Sequence, residues 1–117
     1  MRKPAILITG ANGEIGNDLI KALHQGSDVN IVTLDLNRLN SSFSQYVAEQ
    51  ITGDILDSDL IDKLNIKYKF ESIYHLAALL STKAELSPQS AHNVNVGGTM
   101  NMLNLALEQG KYQENPI

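Results

Sequence analysis

The 117 residues predict one α/β domain built on a parallel sheet with crossover helices. Short apolar runs alternate along the chain with longer segments of helical period, which is typical of repeated strand–helix–strand units. The length allows a single layered core, and 43% hydrophobic with 19% charged residues is ordinary for a globular chain. We therefore expect strand, helix, strand, loop, strand, helix, strand and helix in that order.

The first half of the chain predicts a strand, a helix and a second strand. Residues 5–9 are a continuous apolar run, as a strand buried on both faces requires. The helix covers residues 13–25, and Gly26 is a suitable C-terminal stop. Its apolar positions at helical spacing are Ile15, Leu19, Ala22 and Leu23. Residues 29–34 form the second strand, and residues 37–46 form a polar loop with weak helical character.

The second half predicts two further strands and two helices. Residues 49–52 form a short third strand, and either Asp57 or Ser58 caps the following helix. The apolar residues of that helix are Leu60, Ile61, Leu64 and Ile66. A fourth strand follows at residues 72–76, and a long helix covers about residues 88–109.

Charge and composition exclude several classes of function. The net charge is −4, and no block of Lys or Arg is present to replace the counterions of a nucleic acid or an anionic membrane. The absence of cysteine excludes disulfides, thiolate nucleophiles and sulfur-ligated metals, and no metal site is predicted. Residues 5–8 are far shorter than the ~20 residues of a spanning helix. We expect a cytoplasmic protein without nucleic-acid or membrane partners.

A glycine-rich turn, GANGEIG, lies between the first strand and the first helix. In this position Gly10 would make a tight turn, and Gly16 would allow the helix to pack closely on the strand. The backbone N–H groups of Gly13, Glu14 and Ile15 would meet a pyrophosphate. The Glu14 carboxylate would repel that ligand, so we expect it to face solvent. The alternative is that the glycines only make a turn.

Asp35 strengthens the interpretation as a dinucleotide site. It ends the second strand, about 20 residues beyond Gly16, where an acidic residue accepts hydrogen bonds from the adenosine ribose. An aspartate there repels a 2′-phosphate, so NAD is the predicted cofactor in preference to NADP. Arg38 could partly accommodate such a phosphate, although a solvated loop arginine is the plainer interpretation.

Further segments fall in the order found in one family. They are Gly53-Asp54-Ile55, His75-Leu76-Ala77-Ala78 and Asn95-Val96-Gly97-Gly98-Thr99. With the glycine turn and the acidic strand end, nearly the whole chain resembles the extended short-chain dehydrogenase/reductase family of NAD-dependent epimerases and dehydratases. Within that family, residues 74–81 are similar to the short-chain type of L-threonine 3-dehydrogenase.

The resemblance implies a Rossmann-type parallel sheet of strand order 3-2-1-4 with helices on both faces. The chain would be the N-terminal part of the dinucleotide-binding domain, truncated before strand 5. The fourth strand would then be an open edge, and a buried-type strand left unpaired attracts another chain. We therefore expect a homodimer.

The resemblance also assigns roles to individual residues. Asp54 would accept from the adenine amino group while Ile55 packs on the ring, although an aspartate can also simply start a turn. Leu76, Ala77 and Ala78 would line the cofactor, and core packing alone would choose the same residue types.

Four more positions are placed by the resemblance. Asn95 would hold backbone or cofactor groups from the long helix, or else bond a neighbouring loop. His75 would be a structural strand-end histidine rather than a general base. Ser81 and Thr82 would face the nicotinamide and substrate region.

The family's reaction uses a tyrosine with a lysine four positions later, because the cation favours the phenolate that takes the substrate proton. None of the four tyrosines has that lysine: they are Tyr46, Tyr68, Tyr74 and Tyr112. No catalytic residue is therefore predicted, and this chain alone should be inactive. We expect the NAD-binding portion of an oxidoreductase that acts on a small-molecule substrate. The alternatives are a non-catalytic NAD-sensing or interaction module and, more weakly, a nucleotide-free α/β domain of flavodoxin type.

Overall fold

A computed structural model describes residues 2–26, 28–77 and 88–111. The elements are β1 Lys3–Thr9, α1 Glu14–Gly26, β2 Ile31–Asp35, α2 Ser41–Ser44, β3 Glu49–Thr52, α3 Ser58–Lys67, β4 Tyr68–His75 and α4 Pro88–Gly110. The four strands are parallel and lie in the order β3-β2-β1-β4, which confirms the predicted topology. None of the helices in the described ranges is long and apolar enough to cross a membrane.

The side chains of the central strands alternate between two cores. Ala5 and Leu7 on β1 point into a core shared with α3 and α4. Ile6 and Ile8, one residue out of phase, point into a second core with Ile20 of α1. The helices therefore cover both faces of the sheet, as predicted, and the carboxyl ends of the strands form one edge of the domain.

Helix α1 packs through a different stripe from the one predicted. Ile15 is 71% exposed, whereas Ile20 is fully buried. Gly16 and Ile20 are one turn apart and face the sheet, with Leu19 and Leu23 packed beside them. The prediction of Ile15 and Ala22 as core positions was wrong, because both side chains are exposed. It placed the apolar face of the helix on the wrong side and left out Ile20, which is buried.

Strand β4 starts earlier than predicted, at Tyr68 directly after the last residue of α3. Tyr68 and Phe70 are buried while Lys69 and Glu71 are exposed, so the period of two was present in the sequence. The pairing register shifts near Glu71, since Ala5 pairs with Phe70 and Ile6 with Ser72. The prediction for Ile66 was also wrong, because its side chain is 69% exposed.

Two polar side chains fix helix ends near these strands. Asp57, rather than Ser58, caps α3 by accepting from the backbone N–H groups of Asp59 and Leu60. Gln109, which the sequence did not single out, is fully buried near the end of α4. Its Oε1 accepts from the Phe70 N–H at 2.8 Å, and its Nε2 donates to the Tyr68 carbonyl at 2.9 Å. Gln109 therefore ties α4 to the start of β4.

Candidate cofactor site

The glycine turn bends the chain sharply from β1 into α1. Gly10 has φ of +68°, the left-handed conformation that glycine adopts most readily. Its N–H donates to the Leu34 carbonyl on β2 at 2.8 Å. The carbonyl of Gly13 accepts the Asn17 N–H at 2.9 Å, so the helical hydrogen bonds begin there. The Gly13 N–H, predicted to meet a pyrophosphate, instead donates to the Gly10 carbonyl at 3.4 Å. The first-turn amides that an α-helix leaves without an internal acceptor are therefore those of Glu14, Ile15 and Gly16.

The three glycines of the turn differ in what surrounds them. A Cβ at Gly10 would lie 2.7 Å from the Ala77 nitrogen, and one at Gly16 would lie 2.5 Å from the Ala11 carbonyl oxygen. A Cβ at Gly13 would meet only the Gly10 oxygen, at 3.7 Å. Close packing thus requires Gly10 and Gly16, whereas Gly13 leaves open space before the first amides of α1. That space and those donors fit a diphosphate.

The Asp35 carboxylate lies at the same corner. Its Oδ2 accepts the Asn12 N–H of the glycine turn at 3.0 Å, and its Oδ1 accepts the Asn37 N–H at 2.9 Å. A carboxylate offers about four lone-pair positions, so these two bonds leave capacity to accept from a ligand. The structure therefore brings the Asp35 carboxylate into contact with the glycine turn, through Asn12.

Sequence reasoning missed the asparagines that hold this corner. Asn12 Oδ1 accepts the Asn40 N–H at 3.1 Å, which ties the glycine turn to the loop after β2. Asn40 in turn caps α2 by accepting from Ser42 at 2.9 Å. Asparagine beside a glycine turn is a recognisable signal, because its side chain readily bonds nearby backbone.

Arg38 is exposed in the same loop. Glu14 is exposed as well, in agreement with the solvent-facing position expected for it.

Asp54 and Ile55 follow β3, at the same end of the sheet as the glycine turn and Asp35. Asp54 is exposed, and its Oδ1 accepts the Leu56 N–H at 2.9 Å. Ile55 is only 6% exposed and packs in the core that contains α3 and α4. The Ile55 side chain therefore offers little surface to an adenine ring, while neighbouring Leu56 is 38% exposed.

The chain beyond β4 folds back against the end of β1. The Leu76 N–H lies 3.0 Å from the Thr9 carbonyl, and the Ala77 N–H donates to Thr9 Oγ1 at 3.2 Å. Leu76 is 36% exposed. These contacts place Leu76 and Ala77 beside Gly10. Three other residues predicted for this region lie outside the described residues: Ala78, Ser81 and Thr82.

His75 and Asn95 lie on the α4 side of this edge. The His75 ring is half-buried between Thr9 and Thr99, and burial lowers the pKa of the imidazole. The Asn95 carbonyl accepts from Thr99 Oγ1 at 2.6 Å, and its side chain is half-buried. These contacts agree with a structural role for His75. They place Asn95 one turn of α4 before the residue that meets the histidine.

Comparison with known proteins decides the family. The sequence profile of the NAD dependent epimerase/dehydratase family matches residues 6–113, which is most of the chain. The chain belongs to this family. Membership implies a nicotinamide nucleotide as the cofactor, and the turn at Gly13 with the carboxylate of Asp35 fits the adenosine side of such a molecule.

Several relatives are similar over most of the chain. An uncharacterized epimerase/dehydratase of Staphylococcus saprophyticus is 35% identical over 88% of this chain and 32% of its own length. The solved L-threonine dehydrogenase of Clostridium difficile is 31% identical, with TM-score 0.74 over 93% of this chain and 34% of its own. A monomeric L-threonine 3-dehydrogenase from a metagenome database is 36% identical, with TM-score 0.76 over 89% and 33%. The chain thus spans about a third of the length of these relatives.

Proposed function

We propose that this chain binds NAD and provides the adenosine side of the cofactor site in an NAD-dependent oxidoreductase. The observation that supports this most is the 3.0 Å bond between the Asn12 N–H and Asp35 Oδ2. It places the acidic strand end against the turn that leads into α1. The donors proposed for the diphosphate and the acceptor proposed for the ribose then belong to one corner of the domain, as binding of a single dinucleotide requires.

Each residue has a defined task in this proposal. The first amides of α1, at Glu14 to Gly16, bind the diphosphate, and the positive end of the helix dipole favours its charge. Asp35 accepts from the hydroxyls of the adenosine ribose and repels a 2′-phosphate, which selects NAD over NADP. Asp54 accepts from the adenine amino group, and Leu76 with Ala77 borders the rest of the cofactor. Bound NAD supplies the hydride acceptor.

We further propose the L-threonine 3-dehydrogenase branch rather than the nucleotide-sugar branch. Two of the similar solved structures are L-threonine dehydrogenases, at 31% and 36% identity. The segment from Tyr74 onward resembles the same branch. Because the chain contains no Tyr-x-x-x-Lys pair, the proposal assigns cofactor binding to these residues and assigns no proton transfer to any of them.

Calorimetric titration with NAD⁺ and NADP⁺ tests the cofactor claim. Gly13→Ala should leave stability unchanged, because a Cβ there meets only one atom at 3.7 Å. It should weaken NAD⁺ binding about tenfold by filling the space before the amides. Asp35→Asn should also weaken NAD⁺ binding and narrow the difference between the two cofactors.

Asp28→Asn is the matched control, because Asp28 is exposed and lies before the start of β2, whereas Asp35 ends that strand. This variant should bind as the wild type does. Absence of binding by the wild-type chain, tighter binding of NADP⁺, or equal affinity of the Asp35 and Asp28 variants would refute the proposal.

We also propose that α4 forms a homodimer contact. Its outward face carries a stripe of large apolar residues that are 48 to 70% exposed: Val96, Met100, Leu103 and Leu107. Among the 23 residues of α4, Glu108 is the only Asp, Glu, Lys or Arg, and His92 is the only histidine. A solvated helix face normally carries charge, whereas depletion of charge with enrichment in Met and Leu is typical of an interface core.

The spacing of this stripe favours a second copy of the chain. Successive residues of the stripe are four, three and four positions apart, so the spacing is the same in either direction along the helix. An antiparallel copy related by a two-fold axis would therefore place Val96 opposite Leu107 of the partner subunit, and Met100 opposite Leu103. Sedimentation should show a dimer that Leu103→Glu dissociates and that the exposed-site control Asn104→Glu leaves intact. A wild-type monomer, the state named for the metagenome relative, would refute this contact.

A further inference from the structure

The side chain of His75, at the carboxyl end of β4, contacts residues of both β1 and α4. His75 Nδ1 lies 2.7 Å from Thr9 Oγ1 at the end of β1. Its Nε2 lies 3.2 Å from Thr99 Oγ1 on α4. Leu76 and Ala77 follow the histidine directly, so these contacts border the turn beside Gly10.

The hydrogen bonds of Thr9 determine which way its hydroxyl points. Thr9 Oγ1 accepts the Ala77 N–H at 3.2 Å. It shares the Leu76 N–H, at 3.1 Å, with the Thr9 carbonyl at 3.0 Å. A hydroxyl oxygen has two lone pairs and one proton, and both lone pairs here face amide donors. The hydroxyl proton is therefore donated to His75, which must accept it at Nδ1. A proton on Nδ1 would instead face an oxygen with no lone pair left.

This assignment fixes the remaining protons. A neutral imidazole that accepts at Nδ1 carries its proton on Nε2, and that N–H faces Thr99 Oγ1. Thr99 passes its own hydroxyl proton to the Asn95 carbonyl at 2.6 Å. Thr9, His75 and Thr99 thus form one directed series of hydrogen bonds in which every donor has an acceptor.

The surroundings of the ring favour its neutral form. Hydroxyls face it from β1 and α4, and a Cβ at Gly98 would lie 3.7 Å from its Cε1. Burial lowers the pKa of His75, and no charged group in the described part of the chain contributes to that shift. The position of a single proton on this ring therefore decides the orientation of the Thr9 hydroxyl.

We propose that His75 is a positioning residue for the cofactor site, which holds the Leu76–Ala77 turn in place through the hydroxyl of Thr9. The proposal rests on the proposed function, because that turn matters only if it borders the cofactor. Protonation of His75 removes the acceptor at Nδ1, and the hydroxyl must then turn away from the ring, so that Oγ1 no longer accepts from both amides. Leu76 keeps the Thr9 carbonyl as its acceptor, so the loss falls on the Ala77 N–H. Burial lowers the pKa of His75 below its ordinary value of 6.5, so the turn should be held at neutral pH and should loosen as the pH falls through that lowered pKa.

Nitrogen NMR of the imidazole tests the proton assignment without any cofactor. At about pH 7.5 the ring should be neutral, with its proton on Nε2 and none on Nδ1. His92 is exposed and serves as the reference for a solvated ring in the same spectrum. A proton on Nδ1 of the neutral ring would overturn the proposal.

Two substitutions of His75 separate positioning from packing. The amide of His75→Asn lies near the position of Nδ1 and can accept from Thr9, whereas the amide of His75→Gln lies near the position of Nε2. Asn should therefore preserve hydrogen-exchange protection at Ala77. Gln should reduce that protection, and with it NAD⁺ affinity, by about tenfold. Equal protection in the two variants would refute the positioning role.

Substitutions of Thr9 and a pH series complete the test. Thr9→Ser keeps the hydroxyl and should behave as wild type. The isosteric Thr9→Val should lose protection at Ala77 and retain it at Leu76, whose N–H also donates to the Thr9 carbonyl. NAD⁺ affinity should fall in the wild type as the pH is lowered through the folded-state pKa of His75, which lies below 6.5, and should stay flat in His75→Asn. If NAD⁺ fails to bind at any pH, the proposed function fails, and the NMR and exchange results still decide the role of His75.

Discussion

Within the glycine turn, Gly10→Ala should destabilise the fold more than Gly13→Ala but not more than Gly16→Ala. An alanine at φ of +68° costs about 1–2 kcal/mol. Its Cβ would also lie 2.7 Å from the Ala77 nitrogen and from the Leu76 carbonyl carbon, and both atoms belong to backbone that hydrogen bonds hold against Thr9. Moving that backbone adds a cost like that of overpacking, so the total loss should be about 3 kcal/mol.

Urea unfolding followed by circular dichroism measures this loss. With an m-value of about 2 kcal/mol/M, the midpoint should fall by about 1.5 M. Gly26→Ala is the matched control: no atom lies within 4 Å of its added Cβ, and its φ is not positive, so stability should rise by about 0.5 kcal/mol. A Gly10→Ala midpoint within about 0.3 M of wild type, or an equal loss for Gly26→Ala, would contradict the argument.

Two further stability predictions concern polar groups outside the candidate site. Gln109→Ala removes the acceptor of the buried Phe70 N–H and leaves a cavity, so thermal unfolding should show a loss of about 3 kcal/mol, while exposed Asn104→Ala on the same helix should show almost none. The hydrogen bond from Tyr68 holds the pKa of Glu49 below 4.5. The stability that this hydrogen bond contributes should therefore be present above pH 4.5 and lost as the pH falls through the folded-state pKa of Glu49. Urea midpoints measured across that range should fall less in Tyr68→Phe than in the wild type.

The fold was largely predictable because its strongest signals are local. The apolar run of β1 and the turn residues after β3 specify strand ends without help from distant residues. The start of β4 was not recovered, since Ile66 and Lys67 continue a helical pattern into Tyr68. What decides this boundary is the burial of Tyr68 and Phe70 against α4, a tertiary contact that no window of sequence contains.

The candidate site was likewise predictable from the sequence only in part. Gly10 and Asp35 follow from spacing, because each sits at the end of a strand whose position is predictable. The bond that joins them depends on Asn12, and the proton order at the neighbouring edge depends on Thr9 and His75, which are 66 positions apart. A strand-end threonine carries no motif, and its importance arises only because the parallel pairing of β1 with β4 brings its hydroxyl to two amides and one imidazole. In this family member the positions proposed to face the cofactor could thus be predicted from sequence, whereas the groups that hold them in place are brought together only by the register of strand pairing.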